Sequence, residues 1–552
     1  MERLTLNTLI VLPVVLPLMA GAFLLLFNDR RRRLKVAVSL GTLVALLGTA
    51  IALLATCHAG GAAGTGLVMV HLLGDWPAPF GIVLVADRLS ALMLTLTAIL
   101  ACASFVFALA RWHRAGPRFY SMFLFLQMGL NGAFLTGDLF NLFVFFEVML
   151  AASYGLVLHG SGIARIKAGL HYIPINLVAS SLFLVGVSLI YGVTGTLNMA
   201  DLAGRVAAID PGERVLLETG AAILAVAFLV KAAMWPLNFW LPTTYAAASA
   251  PVAAMFAVMT KVGVYVILRL SLLLFGAQAG PSAGFGAAWL LYGGLATIAF
   301  GAIGVLASQS MPRLAGYSVI VSSGTLLAAM GIGDPAIISG ALYYLVSSTL
   351  AISAFFLLIE LVERGRAAGA DVIAVSMEVF GDDEEAGAHA GPEVGFALPL
   401  TMAALGGAFV ACALLLSGLP PLSGFIAKLA MLEALTGASG PIPGAAWVMI
   451  VLLVISGFAA LIAMVRTGIT TFWVPMHGNL PSVRAVEFTP VAGLLLACLA
   501  MAAFGGPVLR FTEATSRMLH APTAYVHAVL TAPRTGSAPA PKPPHGGMET
   551  GR

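Results

Sequence analysis

Four charged side chains stand where the surrounding sequence offers them neither water nor an adjacent counter-charge. Lys231 lies in VKAAMWPLNFWLP (230–242), at the end of the apolar run AAILAVAFLV. Glu147 lies in LFNLFVFFEVMLAASYGLVL (139–158), Lys261 near the middle of APVAAMFAVMTKVGVYVILRL (250–270), and Lys428 closes GLPPLSGFIAK (418–428). At membrane depth each costs at least about 2.5–3.5 kcal/mol on insertion scales, so an ionisable group kept there carries a functional expectation. One acid and three amines suit proton handling better than solute binding. Desolvation favours a neutral amine, and a nearby carboxylate favours the ammonium. If Glu147 lies near Lys231, small changes in their separation therefore switch the lysine between holding and releasing a proton. A static ion pair that fixes helix packing is the plainer alternative, yet buried pairs contribute little net stability.

These residues must be positioned by membrane helices. Of the 552 residues, 60% are hydrophobic and only 9% charged, and the mean hydropathy is +1.00, far from a soluble domain, where about a quarter of residues are charged. The net charge of +4 is spread over short loops and leaves no footprint for nucleic acid. The cysteines Cys57, Cys102, Cys412 and Cys498 are isolated, without the CxxC spacing of a zinc or iron-sulfur site. Neither a nucleotide-binding glycine loop nor an HExxH appears. The expectation is a chain without cofactor or metal that works on ions in a membrane.

A bilayer core of about 30 Å takes roughly 20 apolar residues per helix, which divides the chain into about 14 spans, the first at 5–27 rather than a cleaved signal peptide and the third at 81–109. Span seven (216–240) carries Lys231 followed by Pro236 and Pro242. Span twelve (397–432) carries Pro420, Pro421 and Gly424 ahead of Lys428. Proline removes a backbone donor and clashes with the preceding turn, and such breaks survive in a membrane only where protein or a wet cavity covers them. The breaks lie five spans apart, as expected of a five-helix internal repeat, spans four to eight and nine to thirteen, and paired interruptions point to a transport site. The domain reading is then 1–116 for helices 1–3, 117–275 and 276–475 for the two repeats, 476–510 for helix 14, and 511–552 for a Pro-, Gly- and Ala-rich tail that ends in disorder. The loop 362–396, with GDDEEAGAHAGPE, reads as a solvated acidic connector.

Lys and Arg concentrate in the odd-numbered loops, which places those loops in the cytoplasm and both termini outside. His159 and His171 flank a basic loop and are candidates for proton entry. Asp138 reads as the cap of span five, Arg269 as a residue that snorkels to the interface, and Trp235, Trp240 and Trp473 as interface anchors or packing residues.

The stretches GDLFNLFVFFEVMLAASY, GVTGTLNMADL, VKAAMWPLNFWLPTTYAAASAPVAAMFAVMTKVGVY and LSGLPPLSGFIAKLAML resemble the antiporter-like family shared by respiratory complex I and the Mrp (Pha) cation/proton antiporters, and above all the D-type subunits of the latter. The resemblance runs from the first span to about residue 510. It implies an all-α fold of fourteen transmembrane helices with two inverted five-helix repeats and broken helices seven and twelve. It also implies a coupled pair of Glu147 and Lys231, with Lys261 and Lys428 as further relay groups. No redox cofactor is implied, and the partners are other membrane subunits in a bacterial inner membrane, with H⁺ and Na⁺ or K⁺ as substrates. An alternative is the proton-pumping arm of a complex I-like or hydrogenase-like oxidoreductase. One departure favours the antiporter. Complex I members carry histidines and a lysine in span eleven, where this chain has ALYYLVSSTLAISAFFLL, so a proton path there would need water and serine hydroxyls.

Overall fold

A computed structural model describes residues 9–28, 31–59, 66–114, 118–160, 162–364, 400–437, 443–473 and 483–534. Its helices are α1 Leu12–Leu25, α2 Arg32–Ala59, α3 Arg88–Ala108, α4 Phe119–Leu135, α5 Leu139–Val157, α6 Ile163–Thr194, α7 Met199–Val206 and α8 Pro211–Lys231. They continue as α9 Leu241–Ala247, α10 Ala250–Leu274, α11 Ala287–Ala307, α12 Met311–Ile332, α13 Pro335–Glu363 and α14 Leu400–Ser417. The last are α15 Ser423–Thr436, α16 Gly444–Gly468, α17 Ala485–Ala503, α18 Gly505–His520 and α19 Thr523–Leu530. Eleven of the described helices are long and apolar enough to cross a membrane, and α1 and α4 are shorter apolar helices. The chain is a multi-pass membrane protein.

Two helices form the interior. Every residue in the apolar window of α10 is buried, and α13 is nearly as enclosed. α10 packs on α3, α8 and α13, and α13 in turn on α12, α15, α17 and α18. These are the helices that carry Lys261 and the serine-rich segment. Elsewhere, small residues permit close approach, as membrane packing requires. α6 and α8 meet at Gly186 and Gly220, where a methyl group on Gly186 would stand 2.7 Å from the Leu224 amide nitrogen.

Local chemistry explains the helix starts. Asp138 caps α5 as expected, accepting from the Phe140 and Asn141 amides at 2.9 Å each. Asp87 and Ser90 form a reciprocal capping box at the start of α3, satisfying amides that have no intrahelical partner.

Four expectations need correction. Span three begins later than residue 81, because β2 (Val83–Ala86) pairs antiparallel with β1 (Met69–Leu72), Met69 opposite Ala86 and Leu72 opposite Val83; short β-branched runs suit a pleated ribbon. The break in span seven comes at Lys231 itself and not at Pro236, and Ala233 takes φ of 56°, a left-handed conformation uncommon for a residue with a Cβ. The region after 510 is helical as far as Leu530, while the expected disorder at its end, like most of the acidic loop, falls outside the described residues. Arg269 does not snorkel. It is buried and holds Asp87 in a two-point ion pair, Nη1 to Oδ2 at 2.5 Å and Nη2 to Oδ1 at 2.8 Å, with its guanidinium 5.2 Å from the Tyr525 ring centre. A fork-shaped cation matches a carboxylate at two points, and the pair ties α10 to the start of α3 and to α19.

Candidate functional site

Lys231 is the last residue of α8 and is completely buried. Its Nζ donates to Tyr172 Oη at 3.2 Å and to Asn176 Oδ1 at 3.3 Å. The same nitrogen stands 5.3 Å from the centre of the Tyr172 ring and 5.8 Å from that of Trp240. Desolvated cations are stabilised by aromatic faces at this range, and the C-terminal end of a helix adds a further favourable field. Trp240 is itself fixed, donating from Nε1 to the Val230 carbonyl at 3.2 Å. It is therefore not an interface anchor, whereas Trp235 is 44% exposed and the side chain of Trp473 lies outside the described residues.

Glu147 is half-buried on α5 and accepts a hydrogen bond from Ser180 Oγ. No ion pair joins Glu147 to Lys231 among the described residues. Helix α6 mediates instead. Tyr172, Asn176 and Ser180 lie four residues apart, so they form one polar stripe with neighbours about 6 Å apart along the axis. Lys231 binds the first two members and Glu147 binds the third. Tyr172 Oη also lies 2.8 Å from Ser153 Oγ on α5, closing a loop between the two helices. The partners of the amine and of the acid thus stand on successive turns of α6, Asn176 bonded to Lys231 and Ser180 to Glu147.

Lys261, buried at the centre of α10, donates to Ser322 Oγ of α12 at 2.8 Å. Lys428, on α15, reaches back to the end of α14 and donates to the Ser417 carbonyl at 2.9 Å. Ser417 ends α14, and the turn 418–422 that follows contains Pro420 and Pro421, as the turn after Lys231 contains Pro236. The three amines occupy separate pockets along the interior. None is ion-paired among the described residues.

His159 and His171 part company. His159 is buried, its Nε2 lies 2.8 Å from the Trp112 carbonyl, and its ring packs 4.9 Å from that of Phe119. Desolvation holds its pKa below the ordinary imidazole value, with Arg165 acting in the same sense and the Trp112 bond opposing. His171 is exposed on α6, bonded through Nδ1 to the Lys167 carbonyl, and directly precedes Tyr172.

Sequence reading missed Tyr172, Asn176 and Ser180, although the four-residue spacing of polar groups in HYIPINLVASS was available as a signal. It also missed a largely buried cluster in which Arg364 bridges Glu360 at 2.5 Å and Glu487 at 2.6 Å while Trp112 Nε1 donates to Glu360 at 2.7 Å. Glu360 and Arg364 are four apart on α13, a spacing that favours an ion pair, but Trp112 and Glu487 lie far away in sequence and no spacing rule relates them to it.

Comparison with known proteins places the chain in a family. The family model of the NADH:quinone oxidoreductase/Mrp antiporter transmembrane region matches residues 136–382. A protein of Rhizobium meliloti (strain 1021), described as a probable K(+)/H(+) antiporter D-type subunit, is 59% identical over 539 residues, covering 96% of this chain and 99% of the relative. The D-type subunit of a Na(+)/H(+) antiporter from Alkalihalophilus pseudofirmus is 33% identical over 530 residues, covering 95% and 99%. Among solved structures, a chain of the Mrp complex from Dietzia sp. DQ12-45-1b superposes with a TM-score of 0.78 at 27% identity, covering 95% of this chain and 100% of that one. A chain of respiratory complex I from Thermus thermophilus, at 24% identity and a TM-score of 0.69 over 92% of this chain and 99% of that one, shares the fold. The chain belongs to the family of cation/proton antiporter D-type subunits, within the proton-conducting membrane proteins that Mrp antiporters and complex I have in common.

Proposed function

We propose that this chain is the proton-translocating subunit of a multi-subunit K⁺/H⁺ or Na⁺/H⁺ antiporter of a bacterial inner membrane, a transporter subunit and not an enzyme. The observation that carries the reading is the α6 stripe, on which the fully buried Lys231 binds Tyr172 and Asn176 and Glu147 binds Ser180 one turn further on. The Glu147 carboxylate, brought closer, favours the charged form of Lys231, and moving it away releases the proton again. Lys261 and Lys428 continue the axis, and partner subunits couple its charge movement to cation exchange. Of the two histidines considered for proton entry we assign the role to His171, which is exposed and adjacent to Tyr172. K⁺ is the favoured cation on the strength of the 59% identical relative named as a K(+)/H(+) antiporter subunit.

The finer architecture belongs to the same proposal: fourteen spans, inverted repeats over 117–275 and 276–475 between helices 1–3 (1–116) and helix 14 (476–510), and both termini outside. The helix ends at Lys231 and Ser417 support the pairing of the two repeats.

The experiment uses inverted membrane vesicles from an antiporter-deficient host expressing the whole complex, following dissipation of a respiration-generated pH gradient on addition of K⁺ or Na⁺. Dissipation by one cation in wild type, lost in Lys231→Ala at matched assembly, is the expected result. No response of an assembled wild-type complex to either cation would move the reading to a redox-driven pump, and an unchanged Lys231→Ala would remove that lysine from the path.

A further inference from the structure

Between Lys261 and Lys428, α13 offers neither a lysine nor a histidine, yet its hydroxyls are not scattered. Lys261 Nζ donates to Ser322 Oγ at 2.8 Å, and Ser322 Oγ lies 2.9 Å from Ser348 Oγ. The next residue points the other way: Ser347 Oγ lies 2.8 Å from Ser423 Oγ, at the start of the helix that carries Lys428. All four hydroxyl residues are buried. Ser347 and Ser348 both line a cavity of about 20 Å³, together with Ser318, Tyr344 and Ser456. A cavity needs roughly 10–15 Å³ and two to four polar partners to hold a water, so this one takes a single molecule. Two of its lining residues lead towards Lys428: Gly424 stands one turn before it on α15, and Ser456 lies beside Gly457 on α16. Gly457, which follows Ser456, approaches so closely that a methyl group there would stand 3.2 Å from Lys428 Nζ.

We propose that Ser322, Ser348 and one water seated against Ser347 and Ser456 form the proton bridge between Lys261 and Lys428, replacing an ionisable side chain on α13. This inference rests on the antiporter reading above and names the groups that carry protons across its centre. The transfer balances without any charged serine persisting. Lys261 gives a proton to Ser322 Oγ as Ser322 gives its own to Ser348, Ser348 passes its own to the water, and the water delivers one to the neutral Lys428 amine. The hydroxyls and the water then rotate back before the next passage. A hydroxyl serves because it both donates and accepts, and Ser347 with Ser423 holds α13 and α15 in register around the water.

The test measures cation-driven proton flux in proteoliposomes holding the intact complex, at matched assembly, for Ser322→Ala, Ser348→Ala, the double variant, Ser348→Thr and Lys231→Ala. Proton relays of this kind contribute about 10²–10⁴-fold, so each single alanine variant is expected to lower flux by about a hundredfold. The double variant is expected to be no slower than either single one, since both interrupt one path, and Ser348→Thr to recover most of the flux. A larger solvent deuterium effect in Ser348→Thr than in wild type would mark the bridge as the step slowed. Should the alanine variants fail to assemble, Ser456→Val, which crowds the water seat from α16, gives the same expected loss. Alanine variants that keep flux within about twofold, beside an inactive Lys231→Ala, would overturn the bridge and leave the lysine axis standing. If Lys231→Ala also keeps its flux, the axis falls with the bridge.

Discussion

The two broken helices solve one problem with different materials. In the first half Lys231 is the terminal residue of the helix that breaks, caged by Tyr172, Asn176 and Trp240, with Glu147 reachable along α6. In the second half Lys428 arrives from the following helix and rests on the carbonyl that ends α14, with no carboxylate ion-paired to it among the described residues. Both amines stand at the negative end of a helix, where unpaired carbonyls favour a cation. Only the first is tied to a carboxylate through a shared helix, Lys231 on Tyr172 and Asn176 and Glu147 on Ser180 of α6. On the function proposed above, the difference would let the first half switch and the second only receive, so that coupling energy would enter at Glu147 and be handed on to Lys428.

The sharpest way to break that contrast is Glu147→Gln. The amide keeps an oxygen for Ser180 but removes the charge, so a purely packing role predicts little change. The switching role predicts that exchange by the assembled complex falls by about a hundredfold, the scale of a lost acid–base group; flux retained within about threefold would make the first half as passive as the second. A smaller effect is expected from Gly457→Ala. The added methyl would stand 2.7 Å from the Ser417 carbonyl oxygen and 3.2 Å from Lys428 Nζ, displacing the one contact that seats the amine. One charge-assisted hydrogen bond contributes about 1.5–3 kcal/mol, so flux should drop about tenfold or more with the complex still assembled. Unaltered flux would mean that Lys428 does not depend on the α14 carbonyl.

How far the sequence exposed this contrast follows from what each residue interacts with. Lys231, Lys261 and Lys428 were legible because a charge in an apolar run is costly wherever the helix turns out to sit. The breaks were legible through proline, although not their position, since the left-handed turn at Ala233 is imposed by packing and not by a residue type that favours it. Arg269 was misread because its partner, Asp87, lies 182 residues away, and without that partner an arginine near a span end looks like an interface residue. For Trp240, read as an interface anchor or a packing residue, burial decides for packing, and a tryptophan near a proline gives no hint that it faces an ammonium. Local chemistry was readable, and the partners that decide which way a side chain turns were not.

The smallest prediction separates the two histidines considered for proton entry. His159 is buried against Phe119 and bonded to the Trp112 carbonyl, and desolvation keeps its imidazole pKa below the ordinary value. A histidine whose folded pKa lies below the unfolded value of about 6.5 stabilises the fold above that pH, and the contribution is lost as pH falls through the folded value, because the unfolded chain then binds the extra proton. His159→Gln retains a donor for the carbonyl and removes the titration. Thermal stability of the complex should therefore decline less between pH 7.5 and pH 5.5 (a window of about 2 units around that value) in the variant than in wild type, while exchange at neutral pH stays within about twofold. His171→Gln should slow exchange at neutral pH, since His171 is exposed and directly precedes Tyr172. If His159→Gln slows exchange instead, the proton enters beside Trp112 and reaches Glu147 by a route that does not pass His171.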